Sequence, residues 1–530
     1  MSDQTLFGLE FIKRIWNTKN RHNFIFFLIL AFGIFARVWG FGKLPPGLNA
    51  DEASIGVDAF SLLHYGIDRN GIAFPVQFIS WGSGQNALYG YVLIPFIALF
   101  GLSPFIVRLP MLISGILTIP LLYFAAKQTL GEVFGLLSMF FLAICPWHIL
   151  LSRWGLESNF LPFVFLLGYA CLLKATKNNY WFIIGCVFFA MALYSYGTAY
   201  AIVPIFLLCT CWILLKANQS TLGITLTGIF VFIVLALPIA LFIFINSLGL
   251  KSIQLGLITI PHLPTIPRYE SQSAVFGNQI ISATLTNIII LMKLLITQSD
   301  GLAYNVVDPF GYFYTITFPL AIIGIGLLIY SYKTYQAKLL LAWLVAALIS
   351  GVIEPVNINR INIVFIPLIL CIAACVLWAT KTNKVYFSLV VAGFCIGFVC
   401  FMAVYHGAGY REEANQKFFT GILPALDFAR QFNNDSPICV TDKFNMPYIF
   451  ALFSEKTNPA GYLATVKYID PQAPFRQVRS FGRYTFGIKN CEQNPKAIFI
   501  LLADEKRPQL IKRYKTKNFS NFMLYYSESK

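Results

Sequence analysis

Charge is scarce in this sequence. Only 12% of its 530 residues are Asp, Glu, Lys or Arg, while 57% are hydrophobic and the mean hydropathy is +0.68. A soluble domain carries charge on about a quarter of its residues, so this composition excludes one and points to a polytopic membrane protein. Acidic residues are scarcest, 23 against 39 Lys and Arg, for a net charge of +16. No basic helix with interleaved aromatics stands clear of the hydrophobic runs, so nucleic acid is set aside as a partner. Cytoplasmic loop charge and anionic lipid or phosphate ligands account for the imbalance. Histidine is down to 5 residues, and the 11 Cys form no CxxC pair or His/Cys cluster, so a zinc site of ordinary spacing is excluded. Most cysteines, among them Cys171, Cys186, Cys209, Cys371 and Cys395, lie inside apolar runs as small hydrophobes. No internal repeat is visible. No cleavable signal peptide is read either: residues 1–22 are polar, and the run after them is too long and lacks a small-residue cleavage site.

Hydrophobic runs are abundant. Asn23–Phe41 is long enough to cross a bilayer, and Lys13, Arg14, Lys19 and Arg21 before it place the N-terminus in the cytoplasm. Further spans are expected at Ile106–Ala126, Val133–Leu150, Ser158–Lys174, Tyr180–Thr198, Ala199–Leu215, Leu222–Leu248, Gly311–Tyr330, Ala337–Ile353, Ile361–Thr380 and Val385–Val404. That makes about eleven, in a membrane domain over residues 23–404 of a multi-pass inner (plasma) membrane protein. Asn86–Phe100, about 22 Å long as a helix, falls short of a core about 30 Å thick, and Thr286–Thr297 reaches only about 18 Å. Both are read as interfacial helices, within long outer loops at 42–105 and 249–310. This assignment puts Lys127, Lys174, Lys177 and Lys216 inside. From Tyr405 the composition turns polar. Candidate strands at Ile438–Thr441, Ala497–Leu502 and Met523–Tyr526, with a helical stretch Asn415–Phe432, suggest a small extracytoplasmic α/β domain over 405–530. Its two cysteines, Cys439 and Cys491, would then face an oxidising space, where a disulfide and a pair of buried thiols are both open.

The stretch Leu44 to Gly56, "LPPGLNADEASIG", is what the rest is organised around. Pro45-Pro46-Gly47 ends the first helix, and Asn49 is a good cap for the next. An Asp inside a span costs about 3 kcal/mol, so Asp51 and Glu52 must lie in the interface or in a wet cavity. Asn49-x-x-Glu52 is also a capping box, which gives the acidic pair a purely structural role on spacing alone. Asp51 and Asp58 share one helical face.

The loop "NADEASIGVDAFSLLHYGIDRNG" resembles the first extracytoplasmic loop of the GT-C membrane glycosyltransferases, in the protein O-mannosyltransferase and aminoarabinose-transferase branch. The resemblance extends over roughly residues 23–220, through "RLPMLISGILTIPLLYFAAKQTLG" and "CPWHILLSRWGLESNF". It implies an all-α GT-C membrane fold and transfer of a sugar from a polyprenyl-phosphate donor to an extracytoplasmic acceptor, with inversion. Asp51 would be the catalytic base, with Glu52 orienting substrate or capping the helix. Arg153 and Glu157 match the family's second acidic loop, where Glu157 stands for the more usual Asp. The same four-residue spacing equally suits a simple ion pair. For the leaving phosphate the candidates are Arg268, Arg360 and Lys293, with Arg69 behind them, because a guanidinium fork matches phosphate oxygens. "NINRINIVFIPL" raises Arg360 by its likeness to a late family stretch. Where relatives carry a Lys, Ser83–Tyr89 has none, which throws more weight on Arg268 or Lys293. A divalent cation at Asp51 and Glu157 is left open, with His148 read as facing the outer interface. The alternative readings are a transporter or flippase, which would carry its polar groups at mid-membrane, and a polymerase or ligase using the same lipid donor.

Overall fold

Helices dominate the chain down to Tyr405, where a mixed sheet takes over. In the computed structural model, residues 18–527 are described except 176–177, 266–273, 275–279, 383, 433–435, 474, 492–493, 506, 508–509 and 511–512. Nine helices among them are long and apolar enough to cross a membrane, and four shorter apolar helices accompany them. The multi-pass architecture expected from composition is therefore present.

Eight of the eleven expected spans recur as long helices. The other three are shorter. Val133–Leu150 breaks at Cys145–Pro146 into Glu132–Ile144 and Pro146–Leu151, because proline cannot donate within a helix. The remaining two are Tyr180–Leu193 and Thr317–Tyr330. The ninth long helix, Ile280–Thr297, corrects the reading of Thr286–Thr297 as a short interfacial piece. Its 18 residues span roughly 27 Å. Polar residues in its first half hide it from a hydropathy reading, yet they find backbone partners: Thr286 donates to the Ser282 carbonyl one turn back at 2.8 Å, and Asn287 to the Val352 carbonyl of another helix at 3.1 Å. The helix Leu88–Phe100 has 13 residues, as short as expected.

Two short ladders shape the loops, β1 (Gln77–Phe78) with β2 (Gln85–Asn86), and β3 (Ile253–Leu255) with β4 (Ile258–Ile260). The terminal domain holds a seven-stranded sheet of β5 (Ile438–Val440), β6 (Lys467–Tyr468), β7 (Val478–Phe481), β8 (Tyr484–Phe486), β9 (Ile498–Leu502), β10 (Lys515–Phe519) and β11 (Phe522–Tyr526). Their spatial order is β10-β11-β9-β5-β8-β7-β6. β5 runs parallel to both neighbours and the other pairs are antiparallel. The three strands expected from sequence are β5, β9 and β11, the middle of the sheet, where apolar residues are densest. The exposed edge β10 carries Lys515 and Lys517, which discourages pairing with a second chain. Cys439 and Cys491 are disulfide-bonded.

The stretch Asn415–Phe432 is two helices rather than one, Ala408–Lys417 and Ile422–Ala429. Gly421 forces the turn between them: its φ is +103°, and a Cβ there would lie 1.7 Å from the Phe519 carbonyl oxygen. One hydrophobic core runs without interruption from the membrane helices into this domain. The helix Pro447–Glu455 packs on Ala50–Tyr65, with Phe453 against Gly56. The terminal domain thus covers the helix that begins with Asp51.

Candidate active site

The helix Ala50–Tyr65 starts as its sequence requires. Asn49 accepts from the Asp51 amide at 2.9 Å, and Glu52 reaches back to the Asn49 amide at 3.0 Å, completing the capping box. Asp51 and Glu52 are then directed apart. Glu52 is fully buried, and its carboxylate meets Arg108 through two bonds of 2.7 Å. It also accepts from the Gly155 amide at 3.0 Å. Its oxygens are thereby committed to the helix cap, to Arg108 and to the second acidic loop. Arg108 completes the knot by donating to the Pro45 carbonyl at 2.7 Å.

Asp51 is only half-buried. Its Oδ1 accepts the Trp81 indole N–H at 3.1 Å, and it forms no ion pair among the described residues. Tyr304 is a neighbour: burial first, then the Asp300 and Asp51 carboxylates, push its hydroxyl up to about 12. Its ring meets Trp154 at 5.0 Å between centroids. Asp300 in turn accepts from the Ile358 amide at 3.0 Å. Asn359 bonds Asn159 at 3.2 Å, and Asn362 donates to the Ser158 carbonyl at 2.7 Å. Four segments distant in sequence therefore meet on the Asp51 side: the first long loop, residues 152–159, the end of the second long loop and the turn 354–362.

Glu157 begins its helix and is buried, with Oε2 accepting from Gln85 at 3.1 Å. Gln85 also accepts from Ser54 at 3.0 Å, which ties Glu157 to the Asp51 helix through one side chain. Arg153 does not pair with Glu157, contrary to the simple i,i+4 expectation. It turns the other way, to the Leu44 carbonyl at 3.0 Å and the Trp39 carbonyl at 2.8 Å, and lies over the Tyr405 ring.

The phosphate candidates separate by position. Arg69 is buried and bonded to Asp58 at 3.0 Å and to Ser54 Oγ at 2.7 Å, with its guanidinium 5.5 Å from the Trp81 ring centroid. It is a brace of the loop. Arg360 is half-buried and donates to the Pro355 carbonyl at 2.9 Å. It lies near Glu354, whose carboxyl burial holds above its usual range while the guanidinium opposes the shift. Lys293 is exposed on the Ile280–Thr297 helix, on the outward face with Ile289, Met292 and Ile296. Arg268 lies outside the described residues. His148 is buried, correcting its expected place at the interface. Its Nδ1 accepts from Arg37 at 2.7 Å, deep among the helices. Among the described residues no three of His, Cys, Asp and Glu gather as metal ligands.

Sequence reasoning missed Arg108, Trp81 and Gln85. Arg108 had a signal, a lone cation near the start of an apolar span, which needs a partner. Gln85 lay in the stretch marked only for its missing Lys. Trp81 had none. Beside the site, a cavity of about 830 Å³ lies between the loop Gly42–Leu48, the helix start at Ser103–Pro104 and the terminal helices, with Asp427, Arg430 and Lys456 among its polar lining.

Residues 87–244 match the family described as dolichyl-phosphate-mannose-protein mannosyltransferase. Among solved structures, ArnT from Cupriavidus metallidurans bound to undecaprenyl phosphate superposes with a TM-score of 0.55 at 13% identity, covering 95% of this chain and 98% of that one. The same protein in its apo state gives 0.55 at 12% identity, over 96% and 98%. The oligosaccharyltransferase of Archaeoglobus fulgidus in its apo form gives 0.50 at 14% identity, over 84% of this chain. This chain spans only 64% of that protein's length. No curated protein matches by sequence. The fold is that of the GT-C membrane glycosyltransferases, and the likeness to their mannosyltransferase and aminoarabinose-transferase branch holds.

Proposed function

We propose that this protein transfers one sugar from a polyprenyl-phosphate donor to an acceptor on the extracytoplasmic face of the plasma membrane. The observation that carries the reading is the division of the acidic pair. Glu52 is locked by Arg108 and two backbone amides, while Asp51 stands half-exposed with one oxygen fixed by an indole N–H. A carboxylate held in that way suits a general base. Asp51 takes the proton of the acceptor hydroxyl as that oxygen attacks the anomeric carbon. The bond to phosphate breaks on the opposite side, so the configuration inverts and polyprenyl phosphate leaves. Arg360, on the turn that joins Asn159 and Asp300, steadies the charge growing on the phosphate. Arg268 and Lys293 on the second long segment assist donor capture. Glu157, tied to the same helix through Gln85, lines the acceptor side, while Arg153 braces that loop against the Leu44 and Trp39 carbonyls. The undecaprenyl phosphate bound in the similarly folded ArnT structure supports a lipid-linked donor.

The test is turnover of a defined polyprenyl-phosphate sugar by purified protein, with mass spectrometry of membrane glycans and glycolipids from a deletion strain to identify the acceptor. No consumption of any such donor, together with an unchanged glycan profile, would refute the reading.

A further inference from the structure

Trp81 touches Asp51, yet it is held in place from elsewhere. Its backbone lies in the left-handed region at φ +57°, which a bulky side chain adopts only where its surroundings insist. Those surroundings are specific. The Arg476 amide donates to the Trp81 carbonyl at 2.9 Å, and the Thr265 amide to the Gly82 carbonyl at 3.2 Å. Tyr448 meets the indole edge-on, with centroids 6.0 Å apart. At Gly82, φ +91°, a Cβ would lie 2.7 Å from Arg476 Cδ and 3.1 Å from Thr265 Cγ2. Arg476 and Tyr448 belong to the terminal domain, and Thr265 to the second long loop.

We infer that Trp81 is a positioning residue for Asp51, and that the terminal domain sets its position through the Arg476 amide. The inference rests on the reading of Asp51 as the base. The indole N–H fixes one carboxylate oxygen and so directs the other. Misplacement by about 1 Å can lower a rate by roughly 100-fold. The terminal domain thus bonds the residue that, among the described residues, is the side-chain hydrogen-bond partner of this carboxylate.

The experiment compares four variants of the full chain in detergent. Trp81→Phe removes the N–H and should lower kcat by roughly 10- to 100-fold with KM little changed. Trp81→His keeps a ring N–H the same number of bonds from the backbone and should recover most of that loss. Arg476→Pro deletes the amide donor from the far side and should reproduce the kcat loss, whereas Arg476→Ala, which keeps the amide, should lose distinctly less. Amide hydrogen exchange over residues 77–86 should quicken in Arg476→Pro and less so in Arg476→Ala. Wild-type kcat in Trp81→Phe overturns the positioning role. Equal losses in Arg476→Ala and Arg476→Pro overturn the backbone coupling, because the guanidinium would then be what matters. If Trp81→Phe does not fold, the Arg476 pair decides. Should wild-type protein turn over no polyprenyl-phosphate sugar, the functional reading fails. Exchange alone then decides the coupling, and unchanged exchange in Arg476→Pro overturns it.

Discussion

Glu52 and Arg108 face each other as fork to fork, Nε to Oε1 and Nη2 to Oε2, each at 2.7 Å and both side chains buried. Two bonds of 2.7 Å set this pair apart from Asp58 and Arg69, whose side chains share one bond of 3.0 Å. It turns half of the acidic motif into framework. Removing the charge from Glu52 leaves a buried guanidinium without a counter-charge, which typically costs about 3–5 kcal/mol. Glu52→Gln is therefore expected to lower the melting temperature and the yield of folded protein. Asp51→Asn should do neither. Equal melting of the two variants in detergent would contradict this assignment.

Asp51→Asn should fold, insert and bind donor, yet transfer sugar about 10²- to 10⁴-fold more slowly, the usual worth of a positioned base. The check is single-turnover kinetics beside a donor-binding measurement. Normal turnover would remove Asp51 as the base.

Arg360 sits on a short turn bonded to two other segments, and that mount is rigid. Arg360→Ala is expected to lower kcat more than it changes KM, because the leaving charge grows only as the bond breaks. Arg360→Lys should recover part of the loss, since an ammonium lacks the two-pronged geometry. Arg268→Ala should mainly raise KM. Wild-type kinetics in Arg360→Ala would move the phosphate role to Lys293.

His406 stacks on Trp39 at 4.3 Å, just beyond the last long helix. Burial first, then the Arg153 and Arg411 guanidiniums, push its pKa down from 6.5 to about 4. Between those two values the unfolded chain binds the proton more readily than the folded one, so stability rises with pH across this window and falls on acidification. Thermal melts from pH 7 down to pH 4 should show that loss, and His406→Phe should flatten it. A profile unchanged by the substitution would locate the titration elsewhere.

Topology reporters are expected to place the turn after Lys127 in the cytoplasm and the segment around Asn159 outside. The opposite pattern would require Leu88–Phe100 to cross the bilayer, and would undo the extracytoplasmic placement of Asp51.

What could be read from sequence was local. The capping box lies within one turn, so Asn49 and Glu52 announce the helix start without help from the fold. The spans follow from composition over about twenty residues, and β5, β9 and β11 from short apolar runs. Residues whose meaning depends on distant partners stayed hidden. Arg108 acquires its role from a carboxylate 56 positions earlier, and Gln85 from one 72 positions later. Arg69 looked like a phosphate ligand because nothing in its neighbourhood shows that Asp58 and Ser54 already hold it. The helix Ile280–Thr297 was shortened because its Ser, Thr and Asn residues look solvated until their carbonyl partners are known.

The bond from the Arg476 amide to the Trp81 carbonyl joins the beginning of the chain to its end, as does the Leu48 amide to the Phe418 carbonyl at 2.8 Å. A ribosome makes the Asp51 helix several hundred residues before the helix Pro447–Glu455 and the Arg476 segment that close over it. Throughout that interval the growing chain has its membrane helices but not the Arg476 amide that Trp81 bonds. On the function proposed above, assembly would act as a timer: a prematurely terminated chain is expected to insert its helices yet leave a polyprenyl-phosphate donor unconsumed.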